Sequence, residues 1–341
     1  MSSTPSSTPS SPSTPKIIPK SSSLSTPQKS KNKIIITGIG GFVGRYAALH
    51  FQKKGFEVYG FDRHGTTIPN CHIEVINIVD KDFLHSYLQK IKPTHLLHLA
   101  AQSSVKKSWD EPELTRCINV EGTKNLLESI TSSSPKCQIL IVSSAEIYGI
   151  PAVLPITEKT RLNPLNPYAK SRLDQEQVID YYQSHHQLNI IIARSFPHTG
   201  QGQSAEFVCS NFAQQIALIE NNKQPPILTV GNLEAKRDFT DVQDVVNAYY
   251  LLLTTPKTHG VYNVCSNQSI PINEVLTILL SLSKIKIKIK QDPKRMRPSD
   301  IPNLLGDNTK LKTDTNWQPT RPLQETLQNL LNYWRSEVKN K

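Results

Sequence analysis

Between residues 33 and 194, short apolar runs at 33–37, 57–61, 71–76, 94–99, 138–143 and 189–194 alternate with helix-length segments at 42–54, 82–91, 113–129 and 168–184. Each run reads as a buried strand. Strands joined through helices must run parallel, and a parallel sheet needs apolar cover on both faces. The alternation therefore predicts an α/β fold with helices on both faces of a parallel sheet. A chain of 341 residues, 37% of them hydrophobic, supplies enough core for one large domain or two closely joined ones. After residue 195 the rhythm breaks. Segments 207–220, 241–253 and 273–283 read as helices, 261–265 as a strand, and a last helix starts at Leu323. In KIKIKIK at 284–290 the period of two predicts isoleucines against a core and lysines in water, where they also discourage edge pairing.

Residues 33–44 read KIIITGIGGFVG, a strand that meets glycines at 38, 41 and 44 before a helix. Gly38 permits the tight turn, Gly41 lets backbone approach a pyrophosphate, and Gly44 packs the helix on the strand. The helix N-terminus adds unpaired N–H groups and a positive dipole end. Asp62 follows the second strand, where a carboxylate can bind a ribose hydroxyl. Together these predict a Rossmann-type dinucleotide-binding sheet. Asp62 opposes a 2′-phosphate while Arg63 and His64 welcome one, so both NAD and NADP fit, with NADPH favoured. The division expected is a Ser/Thr/Pro-rich disordered tail at 1–31 and the nucleotide-binding part at 32–195, rejoined by 238–265. A smaller α/β substrate-binding part comprises 196–237 and 266–336.

The formal charge is +11, and residues 1–33 carry five lysines and no acid. No Arg/Lys stripe is interleaved with aromatics, which argues against nucleic acid. No apolar run reaches the length of a membrane helix. Cys71, Cys117, Cys137, Cys209 and Cys265 are dispersed, without a CxxC pair or metal spacing. They read as reduced thiols of a cytoplasmic protein with no metal.

Two further segments carry a resemblance. Residues 141–149 read IVSSAEIYG at a strand end, and 166–172 read NPYAKSR at a helix start. The chain resembles the extended short-chain dehydrogenase/reductases of the nucleotide-sugar epimerase and dehydratase branch. By that match Ser144 and Tyr168 are catalytic. A phenol exchanges a proton at a sugar carbinol beside a hydroxyl that holds the substrate oxygen. A phenol with a reference pKa of about 10 needs nearby positive charge for this. The family's usual lysine, four residues after the tyrosine, is here Arg172, and Pro197 stands where relatives carry an asparagine. The segments HLAAQSSVKKSWDEP and INVEGTKNLLE also match, with Asn119 as the buried polar residue that shapes the site.

The resemblance implies cofactor contacts from Phe42, Val43, Asn77, Ile78, Leu99, Ala100, Ala101, His198, Tyr168 and Arg172. It implies sugar-nucleotide contacts from Ser103, Ser144, Phe207, Val208, Val230, Arg237, Arg297 and Asp300. Segments RSFPHTGQGQ, VGNLEAKRDFTD and MRPSDIP are similar to those of GDP-mannose-handling members, and arginines suit a bidentate grip on a diphosphate. KRDFTD and SNFAQQIALIE favour reduction of the C4 ketone of a GDP-linked 4-keto-6-deoxy-mannose. Glu146 aligns with the base of the 4,6-dehydratases, which supports that elimination as the alternative; its other reading is a strand-end carboxylate that caps a loop. With Arg172 and Pro197 off pattern, a cofactor-binding sensor or scaffold is a further alternative. The family implies a homodimer through the helices near Glu113 and Tyr168.

Overall fold

The computed structural model describes residues 1–3, 32–296 and 301–339. Most of the predicted tail, and Arg297 and Asp300 with it, lie outside the described residues. Numbered along the chain, the main sheet consists of β1 Lys33–Thr37, β2 Glu57–Asp62, β3 Cys71–Val75, β4 His95–His98, β5 Gln138–Ser144, β6 Asn189–Ser195 and β7 Gly260–Val264. All pairings are parallel, in the spatial order β7-β6-β5-β4-β1-β2-β3. The order reverses between β1 and β4, the crevice where such sheets bind ligands at their carboxyl ends.

The sheet has two apolar faces because its central strands carry unbroken aliphatic runs. On one side Ile34 and Ile36 pack with Ala47, Ala48 and Phe51 of helix Phe42–Lys53 and with Val245, Ala248 and Tyr249 of helix Val242–Thr254. On the other, Ile35, Leu96, Ile139 and Ile141 pack with Leu84, Leu88, Leu126, Ile130 and Ile179. A third core joins helices Val208–Glu220, Ile272–Ser281 and Leu323–Lys339. Short strands surround it: Lys236–Asp238 pairs with Ser269–Pro271 and Asn303–Leu304, and Ile227–Val230 with Lys288–Gln291.

Several expectations are corrected. β3 is not buried. It is the edge of the sheet, and Val75 there is 61% exposed. The isoleucines of KIKIKIK do not share a core. Only Ile287 packs against the third cluster, while Ile285 and Ile289 are 43% and 48% exposed. The strand covers only Lys288–Gln291 and has a single neighbour, so alternation there has little to pack on. The helix expected at 113–129 begins at Pro112, widens into one π turn over Cys117–Glu121, and continues as Gly122–Ser133. Helices Val105–Asp110 and Thr309–Thr315 were not anticipated.

Candidate active site

The glycine turn has the shape its spacing predicts. Gly38 has φ +67°, and a Cβ there would lie 2.9 Å from the Ala100 nitrogen. A Cβ on Gly44 would lie 2.3 Å from the Gly38 carbonyl oxygen, so that helix and strand meet at contact distance. A Cβ on Gly41 would meet only the Gly38 oxygen, at 3.2 Å, which leaves its outer side open. Gly41 precedes helix Phe42–Lys53, and no side chain caps that helix. Its first N–H groups thus form an anion seat, and the turn fits a dinucleotide pyrophosphate. Asp62 closes the turn: its carboxylate accepts from Gly40 N–H at 3.2 Å and His64 N–H at 3.4 Å. Arg63 and His64 are exposed beside it. Arg45 Nε donates to the Gly40 carbonyl at 2.8 Å.

Across the switch point, Leu99 and Ala100 donate their N–H groups to Thr37 Oγ1 at 3.1 and 3.0 Å, which holds them beside the turn. Phe42 stacks on His198, with ring centroids 6.3 Å apart and planes 10° apart. His198 Nδ1 donates to the Phe196 carbonyl at 3.0 Å, and burial lowers the imidazole's pKa. Val43 and Ile78 pack into the two faces of the sheet, and Asn77 Oδ1 accepts from Val79 N–H at 3.4 Å. Ala101 is half-buried, and Ser103 is exposed.

Ser144 and Tyr168, the pair expected to be catalytic, stand at the end of strand β5 and at a helix start. Ser144, 7% exposed, ends that strand, and its Oγ accepts from Glu146 N–H at 3.2 Å. Tyr168, also 7% exposed, opens helix Pro167–His186. Asn166 caps that helix by accepting from Ala169 N–H at 2.8 Å, with Pro167 at the first helical position. Tyr168 N–H donates to Ser108 Oγ at 3.1 Å. Arg172 is 5% exposed. Its Nε points at the Tyr168 phenol oxygen at 3.4 Å, and its guanidinium carbon is 5.3 Å from the ring centroid. A fixed cation therefore stands at the phenol, as its chemistry requires. Glu146 accepts from Asn166 Nδ2 at 3.2 Å, so its carboxylate also tethers the helix start.

Asn119 sits in the π turn with no exposure. It accepts from Gln102 N–H at 2.9 Å and donates to the Gln102 carbonyl at 3.1 Å and Ser171 Oγ at 2.9 Å. It pins helix Pro167–His186 to the loop after β4. Such π turns recur at functional sites. Among the sugar-nucleotide candidates, Phe207 and Val208 start helix Val208–Glu220, with Phe207 37% exposed. Arg237 Nη1 donates to the Ile301 carbonyl at 2.6 Å, whereas Val230 is buried in the third core. Residue-by-residue reading missed Ser108, Gln175 and the buried pair Glu176–Arg194. Gln175 and Glu176 had a usable signal, standing three and four residues after Arg172 on the same helical face.

A family model described as GDP-mannose 4,6 dehydratase matches residues 35–330. The chain belongs to that family. Within it, the chain is 32% identical to a GDP-6-deoxy-D-mannose reductase of Pseudomonas aeruginosa, over 90% of this chain and 98% of the relative. It is 26% identical to human GDP-mannose 4,6 dehydratase, over 89% and 91% of the two chains. The solved structure of the Pseudomonas aeruginosa enzyme RMD complexed with NADPH superposes with a TM-score of 0.80 at 31% identity, over 90% of this chain and all of that one. Among the described residues of this family member, no helix is long and apolar enough to cross a membrane. None of its His, Cys, Asp and Glu residues, among those described, cluster to hold a metal. All five cysteines are free thiols.

Proposed function

We propose that the protein is an NAD(P)H-dependent nucleotide-sugar oxidoreductase that reduces the C4 ketone of GDP-4-keto-6-deoxy-mannose. The carrying observation is the buried Tyr168–Arg172 contact, which Arg172 Nη1 anchors on the Val142 carbonyl of the strand that ends at Ser144. When bound over that turn, the reduced nicotinamide supplies the hydride that C4 accepts. Tyr168 gives its phenolic proton to O4 as the C=O π electrons move there, and Ser144 steadies O4 with its hydroxyl. Arg172 stabilises the phenolate left behind, and bulk water returns the proton. The relatives' names support a GDP-linked sugar, and the exposed Arg63 and His64 support NADPH.

Elimination to a 4-keto sugar is the second reading, favoured by the half-buried Glu146 two residues from Ser144. Its link to Asn166 favours the reductase, because a carboxylate that tethers a helix is less free to remove a C5 proton. The purified protein is to be incubated with GDP-mannose alone, and separately with the 4-keto sugar and NADPH. Loss of NADPH only with the ketone is expected. Tyr168→Phe should lower that turnover at least about a hundredfold, while Glu146→Gln should reduce it far less. Ketone formed from GDP-mannose alone, and abolished by Glu146→Gln, would reverse the assignment. Tight NADPH binding without turnover of either sugar would make the protein a sensor or scaffold.

A further inference from the structure

Arg172 does not hold itself in place. A lysine presents one point charge, but a guanidinium is a planar fork whose other end must also be satisfied when buried. Here Nη1 donates to the Val142 carbonyl at 3.1 Å and to Gln175 Oε1 at 3.0 Å, and this turns Nε toward the Tyr168 oxygen. Among the described residues Nη2 makes no hydrogen bond, so it is the edge left for a ligand.

Gln175 is itself locked. It has no exposure, and its amide donates to Thr123 Oγ1 at 2.7 Å. Thr123 in turn donates to the Asn119 carbonyl at 2.7 Å, so its oxygen acts only as acceptor toward His98 Nε2, at 2.9 Å. His98 is therefore protonated on Nε2 and accepts on Nδ1 from Thr37 Oγ1 at 2.7 Å. Burial pushes that imidazole down to about 3, which keeps it neutral and able to do both. Thr37 is the residue before Gly38. A single buried chain, Thr37–His98–Thr123–Gln175–Arg172, thus runs from the glycine turn to the phenol, with every donor direction fixed.

We propose that Gln175 is a positioning residue that aims Arg172 at Tyr168 and at the bound cofactor, and so lets an arginine serve in this site. The proposal rests on the reductase reading for its kinetic arm only. Gln175→Met removes both hydrogen bonds at similar volume, and Arg172→Lys removes the fork. Each single variant should lower kcat about tenfold, with the KM for the keto sugar within about twofold of wild type, and should weaken NADPH binding about tenfold. If Gln175 acts through Arg172, the double variant is no worse than Arg172→Lys alone in either measurement. Gln175→Glu, which keeps an acceptor for Nη1, should recover part of what Gln175→Met loses. Should Gln175→Met fail to fold, Thr123→Val, which frees the Gln175 amide, carries the same cycle against Arg172→Lys. Losses that multiply in the double variant, or a Gln175→Met protein with wild-type kcat and NADPH affinity, would overturn the proposal. If the wild type binds NADPH but turns over no keto sugar, the reductase reading fails, and the cycle in NADPH affinity still decides the role of Gln175.

Discussion

Asp238 is fully buried, and four donors converge on its carboxylate: Ser266 Oγ at 2.6 Å and the N–H groups of Ser266, Asn267 and Gly306 at 2.7, 3.0 and 3.2 Å. Burial pushes its carboxyl up to about 6 against the pull of those donors. The folded chain then holds a proton that the unfolded chain has released over the window from 3.8 to about 6. Stability from this group is complete below that window and declines as pH rises through it. Asp238→Asn removes the titration, and subtracting the two proteins cancels every other titrating group. The wild type's advantage in urea unfolding should therefore shrink across the window by on the order of 2–3 kcal/mol and stay constant above it. A difference independent of pH would mean that the carboxyl titrates alike in the folded and unfolded chains. The sequence marked this residue only as part of KRDFTD. Its partners lie 28 to 68 positions further on, where no local pattern reaches.

At the scale of elements, the strand–glycine–helix unit makes the sharpest distinction. The Cβ of Gly44→Ala would strike the Gly38 oxygen and, at 2.7 Å, the Ile39 Cα and oxygen, all of them backbone atoms. The turn must open, so Gly44→Ala should lose about 1–3 kcal/mol of stability together with NADPH binding. The Cβ of Gly41→Ala meets only the Gly38 oxygen, at 3.2 Å. It should weaken NADPH binding with little change in melting temperature, and a comparable loss of stability in both would contradict the assigned roles. This unit was legible because its requirements are local: φ at one position, contact at another, and a helix immediately after. The central strands were legible for a similar reason, since burial on both faces writes an unbroken apolar run. β3 misled because an edge strand can end in an apolar residue, Val75, that stays largely exposed. The Ile/Lys segment misled because alternation tells which residues share a side but not whether anything covers it. The placement of Ser144 at a strand end and of Tyr168 at a helix start was legible through their flanking motifs. The chain that aims Arg172 was not, because Thr37, His98 and Thr123 come from three separate elements and meet only after the sheet has formed.

At the scale of the whole molecule, one ion pair binds the parts around the site. Arg194 of β6 donates to Glu176 of helix Pro167–His186 from Nε at 3.1 Å and from Nη2 at 2.6 Å, with both side chains less than a tenth exposed. Ser143 of β5 donates to the same carboxylate at 2.6 Å, and Arg194 Nη1 reaches Tyr148 Oη at 3.0 Å and the Glu158 carbonyl at 3.2 Å. Tyr148 in turn donates to Asn263 Oδ1 of β7 at 2.7 Å. Three strands, the helix that carries Tyr168 and the loop between them are thus held through one pair of charges. Charges removed from water are costly unless each meets its partner, so loss of one side is worse than loss of both. Glu176→Met or Arg194→Met alone should cost about 3–5 kcal/mol in denaturant unfolding, because each strands a buried charge. Their combination should recover a clear part of that loss, yet turnover should stay low, since no apolar replacement restores the tie to Ser143 beside Ser144. Equal and additive destabilisation by the two single changes would show that the ions act independently, and the pair could not then be what registers the helix on the sheet.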